Sequence, residues 1–214
     1  MSINLQKGQT INLDKNQYDL SMVTIGLGWD VKKPEPSGLL GKIFQPKEKD
    51  YDLDAIAFLL DRDEKIANSG DNNFGGSDII FFNNQQHPDG TIYSTGDNRT
   101  GEGEGDDEQI VVKLNSINAR YHKILFIVSI YKGIENGQHF GKIDNAFIRA
   151  VDAKGKEIAK YNLSSDSAYN NMCSMIFAEV YRKDGGWKFR AIGEPKSTDS
   201  FIQIIRDSNY IREE

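Results

Sequence analysis

The dominant spacing of hydrophobic residues in this chain is two rather than 3.6, which dictates strands instead of helices. Ser21 to Leu27 alternates in part, and Lys123-Ile124-Leu125-Phe126-Ile127-Val128-Ser129-Ile130-Tyr131 is rich in β-branched and aromatic residues. Similar runs span Leu53 to Leu60, Asp78 to Phe82, Gly90 to Ser94, Glu108 to Leu114, Ala146 to Asp152, Lys156 to Leu163 and Met172 to Tyr181. Turn chemistry separates them: Ala153-Lys154-Gly155, Lys183-Asp184-Gly185-Gly186, Pro88-Asp89-Gly90 and Asn136-Gly137 read as hairpin connections. Short strands at this spacing predict a mainly β fold, an antiparallel β-sandwich with a few short helices. Leu114 to Tyr121 has room for a turn or two of helix. Thr198-Asp199-Ser200 caps a second short helix over Phe201 to Arg206, with a terminal strand as the rival reading.

At 214 residues, the chain is long enough for one domain with a sizeable core. Pro34-Glu35-Pro36-Ser37-Gly38 and Gln45-Pro46-Lys47 bracket a segment that reads as a loop insertion over 34–49. Its apolar tip, Leu39 to Phe44, either tucks against the body or touches a partner or membrane surface. No apolar run approaches the roughly 20 residues that span a bilayer. The first residues lack the apolar centre of a secretory signal, and the single Cys173 excludes an internal disulfide and a thiolate zinc cage. A cytoplasmic location is therefore expected. Cys173 sits in an apolar run and reads as a core residue.

The net charge of −6 argues against nucleic-acid binding, which needs clustered Lys and Arg. Five of those six charges arise between Asp97 and Glu108, where six carboxylates face only Arg99. Glycines at 101, 103 and 105 let this stretch curl tightly, bringing Glu102, Glu104, Asp106, Asp107 and Glu108 toward one another, with Asp97 and Asn98 at its head. Converging carboxylates repel unless a cation lies among them, and oxygen donors without His or Cys select calcium, or less well magnesium. Further donors are expected at strand ends: Asp52 and Asp54, which share one face of a strand whose Leu53 takes the other; Asp30 after Gly28-Trp29; and Asp78 and Asn83, which bracket an apolar run. Asn84, beside Asn83, offers a further carbonyl oxygen.

Competing motifs fail. The twelve residues from Asp97 to Glu108 have the length of an EF-hand loop, but Glu102 stands where that loop requires glycine, and strands rather than helices are expected on either side. The alternating glycines and glutamates do not make a dinucleotide loop, since Asp106 breaks the glycine spacing and carboxylates repel phosphates. There is no Walker A sequence or Gly-x-Ser-x-Gly elbow, and His87, His122 and His139 are too dispersed for a zinc motif. No nucleophile is evident, so an enzyme is not expected. A metal-dependent hydrolase is the weakest alternative.

Gly28-Trp29-Asp30, Asp52-Leu53-Asp54-Ala55 with Phe58-Leu59-Leu60, Ile80-Phe81-Phe82-Asn83-Asn84, and above all Ser94-Thr95-Gly96-Asp97-Asn98-Arg99-Thr100-Gly101-Glu102-Gly103-Glu104-Gly105-Asp106-Asp107-Glu108 together resemble the tellurium-resistance TerD family of bacterial stress proteins. The resemblance runs from the N-terminus to about Gly193. It implies a single β-sandwich domain over 1–200, followed by a C-terminal extension over 201–214. It also implies two adjacent calcium sites, so about two Ca2+ per chain, and a role in resistance to tellurite and other stress without an established catalytic activity. The partners it implies are calcium and other proteins of the same stress system. The alternative function is calcium-dependent binding to anionic phospholipid or a membrane surface, with 39–44 as the contact.

Overall fold

The computed structural model describes residues 2–31, 51–95, 105–163 and 167–212. Among these, twelve strands make two six-stranded sheets. In chain order they are β1 (Ile3–Leu5), β2 (Thr10–Leu13), β3 (Val23–Val31), β4 (Leu53–Leu60), β5 (Ile79–Ile80), β6 (Ile92–Ser94), β7 (Glu108–Val112), β8 (Lys123–Ile130), β9 (Ile143–Val151), β10 (Glu157–Asn162), β11 (Ser174–Lys183) and β12 (Gly186–Lys196). Sheet I has the order β1-β10-β9-β3-β7-β6, and sheet II the order β2-β12-β11-β8-β4-β5. Two short α-helices, α1 (Gly133–Asn136) and α2 (Phe201–Asp207), and two 3-10 turns, Phe140–Lys142 and Ser167–Tyr169, complete the set. Pairing is antiparallel except at one edge, where β1 lies parallel to β10, so sheet I is mixed.

Alternation explains which residues face inward. Val23, Ile25, Leu27 and Trp29 of β3 join Leu53, Ala57 and Leu59 of β4 and Ile124, Phe126, Val128 and Ile130 of β8 in the core between the sheets. Each such side chain, fully buried, contributes roughly 1.5–3 kcal/mol. The near-continuous apolar run of β8 has a second cause, because its other face is buried too. Leu125 and Ile127 join Ile56, Phe58, Leu60 and Ile176 in a second cluster on the outside of sheet II. Helix α2 covers that cluster with Ile204 and Ile205. Ser200 caps α2 by accepting the Gln203 amide, as the sequence predicts. Phe201 packs its ring 5.1 Å from Phe81, and Ile66 N donates to Tyr210 O at 2.7 Å, so the segment after 200 lies flat on the sheet.

Several local expectations are corrected. Asn136-Gly137 is not a hairpin connection but the end of α1, where Gly137 takes a φ of 65° and its amide donates to Ile134 O at 3.2 Å. The strand expected over Asp78 to Phe82 shrinks to Ile79–Ile80, because Phe81 and Asn84 exchange backbone hydrogen bonds and close a turn. Leu114 to Tyr121 forms turns rather than helix. The insertion over 34–49 and its tip at 39–44 lie outside the described residues. No helix among the described residues is long and apolar enough to cross a membrane.

Candidate functional site

The acidic segment enters β7 at one end of the sandwich, and two glycines of β3 determine how close it comes. A side chain on Gly28 would collide with the Phe147 ring and the Gly105 carbonyl, and one on Gly26 would meet the Asp106 carboxylate at 2.1 Å. Without β-carbons there, residues 105 and 106 lie directly on the outer face of sheet I. Asp107 N then donates to Leu27 O at 2.8 Å, and Trp29 N donates to Asp107 Oδ2 at 3.0 Å. Burial raises the Asp107 pKa above its ordinary value, and the charges of Asp30 and Asp106 add to the rise, against the lowering hydrogen bond from Trp29.

The neighbouring acids have distinct surroundings. Asp106 accepts Arg149 Nε at 2.7 Å and Gln109 Nε2 at 3.1 Å, so its charge is partly offset. Asp30, exposed at the end of β3, pairs in register with Asp144 of β9 and accepts Asn145 Nδ2 at 2.8 Å. Glu108, 6% exposed, points between the sheets, where it accepts the Ala55 amide of β4. That amide lies beyond the reach of β5, which pairs with β4 only at Ala57 and Phe58. The carboxylate thus substitutes for a missing ladder partner. It also ties sheet I to the β4 end that carries Asp52 and Asp54.

Leu53 is buried in the core, and Asp54 stands opposite Ser129 on the outer side of sheet II. Asp52 accepts the Tyr131 amide through its carbonyl at 2.7 Å. Asn83 is exposed in the Phe81–Asn84 turn, and the Phe82 ring lies 6.4 Å from Tyr131, which places the turn on the same rim. The Asn84 amide is instead turned inward, donating to Ile79 O at 2.6 Å. Asp78 is not brought here. It precedes β5 opposite Leu59, near the far end of β4, fully buried against His87, Tyr121 and Arg120. Asp97, Asn98, Glu102 and Glu104 lie outside the described residues.

Among the described residues, no three His, Cys, Asp or Glu side chains group closely enough to hold a metal by themselves. The donor set at this rim is nonetheless all oxygen, and Asp107 lies half-buried beside Asp30. That chemistry fits a hard divalent cation. The sequence did not single out Asp144, Asn145 or Arg149. The only available signal was the polar Asp144-Asn145 pair, where the period-two pattern of β9 begins.

The TerD domain family model matches residues 1–207. This chain belongs to the TerD family. The tellurium resistance protein TerX of Serratia marcescens is 54% identical over 216 residues, covering 99% of this chain and 100% of that protein. The tellurium resistance protein TerD of the same organism is 40% identical, covering 91% of each chain. The stress response protein SCP2 of Bacillus subtilis (strain 168) is 37% identical over 99% of this chain and 100% of its own. A crystal structure of a TerD homologue from Streptomyces coelicolor A3(2) superposes with a TM-score of 0.60 at 20% identity, covering 85% of this chain and 94% of that one. The TerD fold is therefore common to both, and this protein belongs with the tellurium-resistance and stress-response proteins.

Proposed function

We propose that this TerD protein is a calcium-binding stress-response module, a binding protein rather than a catalyst, whose acidic segment and strand ends hold about two Ca2+ ions at the rim just described. The supporting observation is Asp107, a half-buried carboxylate that accepts the Trp29 amide and lies close enough to Asp30 and Asp106 for their charges to raise its pKa. Removing a carboxylate from water beside other carboxylates is unfavourable, and a divalent cation reverses the sign of that interaction. Asp30 and Asp107 would hold an ion from sheet I, and Asp52 and Asp54 would contribute from sheet II. Glu108 fixes the spacing between them through Ala55. When bound, the ions would order the acidic segment into a surface for other proteins of the same stress system.

Calcium binding then couples to stability. At a hundredfold excess over the dissociation constant, it adds about 2.7 kcal/mol. Calorimetric titration of chelated protein should give about two ions per chain, and the melting temperature should rise with calcium and less with magnesium. The paired change Asp30→Asn with Asp107→Asn should remove most of that rise. A melting curve indifferent to millimolar calcium would refute the reading.

A further inference from the structure

Three residues stand abreast across sheet I, Gln109 of β7, Gly26 of β3 and Arg149 of β9, each paired in register with the next. Their chain neighbours Ile25, Leu27, Ile110 and Ile148 are buried in the core, so alternation turns this row to the outer face. Strands lie about 4.8 Å apart, which puts the Gln109 and Arg149 backbones about 10 Å from each other. Only a glycine stands between them. The result is a notch walled on either side by a long side chain that donates hydrogen bonds.

The Asp106 carboxylate fills that notch. A β-carbon on Gly26 would meet Asp106 Oδ2 at 2.1 Å, Cγ at 2.2 Å and Oδ1 at 2.5 Å, so the carboxyl group occupies the volume any other residue would claim. Oδ1 accepts Arg149 Nε at 2.7 Å, and Oδ2 accepts Gln109 Nε2 at 3.1 Å. The Asp106 side chain is 2% exposed. Arg149 is steadied from its other side, with Nη1 3.2 Å from Glu157 Oε2 of β10. A buried carboxylate with a charge-assisted bond on one oxygen and an amide on the other is strongly held, and removing the cation leaves its charge uncompensated. Asp107 follows directly, its amide donating to Leu27 O.

We propose that Arg149 is the positioning residue of the acidic segment: with Gln109 it seats Asp106 in the Gly26 notch before any ion arrives, which makes Asp106 part of the frame rather than a metal ligand. The seat holds Asp107 against the Trp29-Asp30 end of β3 in advance, and so reduces the ordering cost of binding there. This consequence for calcium rests on the function proposed above, whereas the seat itself does not.

The seat is tested on the full chain in EDTA. Hydrogen exchange at the Asp107 amide is compared with exchange at amides of β8, inside sheet II, which report global opening. Arg149→Met should speed exchange at Asp107 at least about tenfold relative to β8. Gly26→Ala should do the same while leaving Arg149 and Asp106 intact, and it decides the matter if the Arg149 variant does not fold. Gly26 has no positive φ, so alanine there adds volume alone. Exchange at Asp107 that keeps step with β8 would overturn the proposal. Calcium titration of the same proteins, freed of chelator, gives a second reading. Arg149→Met should weaken binding at least about threefold, and adding Asp106→Asn should weaken it no further. Tighter binding in Arg149→Met, or a further tenfold loss with Asp106→Asn, would overturn the proposal, because Asp106 would then be a ligand. Wild-type protein that takes up no calcium would refute the calcium reading, and exchange alone would then decide the seat.

Discussion

His87 is 4% exposed and lies between two carboxylates, with Nε2 3.1 Å from Asp78 Oδ1 and Nδ1 2.7 Å from Asp89 Oδ1. Burial works against its protonation, but the hydrogen bonds and charges of Asp78 and Asp89 outweigh burial and raise its pKa above 6.5. Asp78 also accepts the Tyr121 hydroxyl at 2.6 Å and lies 3.4 Å from Arg120 Nη2. A raised histidine pKa means that the folded state holds the proton more tightly. The resulting stability is complete below about pH 6.5 and is lost as pH rises through the folded-state pKa. Urea midpoints should therefore fall from mildly acidic to mildly alkaline pH, and His87→Asn should flatten that slope while costing roughly 1.5–3 kcal/mol on the acidic side. His139 has its pKa lowered by burial and by Lys142, so it contributes a slope of the opposite sign. Comparing wild type with the His87 variant isolates the term at issue, and an unaltered slope would exclude it. None of this network was legible in the sequence, where Asp78 reads as a donor at a strand end. Its partners His87 and Tyr121 are 9 and 43 residues away.

At the scale of elements, α2 shows what local sequence conveys and what it leaves out. Its start was legible because Ser200 has the chemistry of a cap. Its destination was not, although the doubly buried pattern of β8 implies that something must cover sheet II. Ile204→Ala and Ile205→Ala should each cost about 2–4 kcal/mol, since both side chains are 1% exposed against a close-packed cluster. Chemical denaturation measures this directly, and a loss below half a kcal/mol would mean that the helix does not cover the sheet in solution. The strands β4, β7 and β8 were readable because their apolar runs are dense. β12 went unrecognised although Trp187, Phe189 and Ala191 alternate with Lys188, Arg190 and Ile192, because its charged partners dilute the pattern. β1 and β2 were missed because three or four residues carry too little periodicity to register. In the site, the acids of 106–108 were legible as a run. The permissive Gly26 and the pairing of Asp106 with Arg149 were not, because they depend on β3 and β9 lying side by side.

Over the whole molecule, charge is polarised along the strands. The acidic rim lies at the start of β4, and the cations Arg62, Lys123, Arg182, Lys183 and Arg190 gather around its end. Seven residue steps separate Leu53 from Leu60, about 23 Å at 3.3 Å per residue. Groups so far apart without shared partners act independently. Asp107→Asn and Arg182→Gln should therefore alter stability additively to within about 0.5 kcal/mol, as read from a double-mutant cycle in urea, and a larger coupling would mean that the two ends communicate through the sheets.

The pairing order also bears on how the protein is made. β1 finds its only described neighbour in β10 and β2 finds its own in β12, so these two strands leave the ribosome well before residues 157–162 and 186–196, which they need before either sheet edge can close. At roughly 5–20 residues per second, that interval is on the order of ten seconds. Throughout it β1 and β2 lack the strands they pair with in the folded sheets, so both are locked in place late although they are made before those partners.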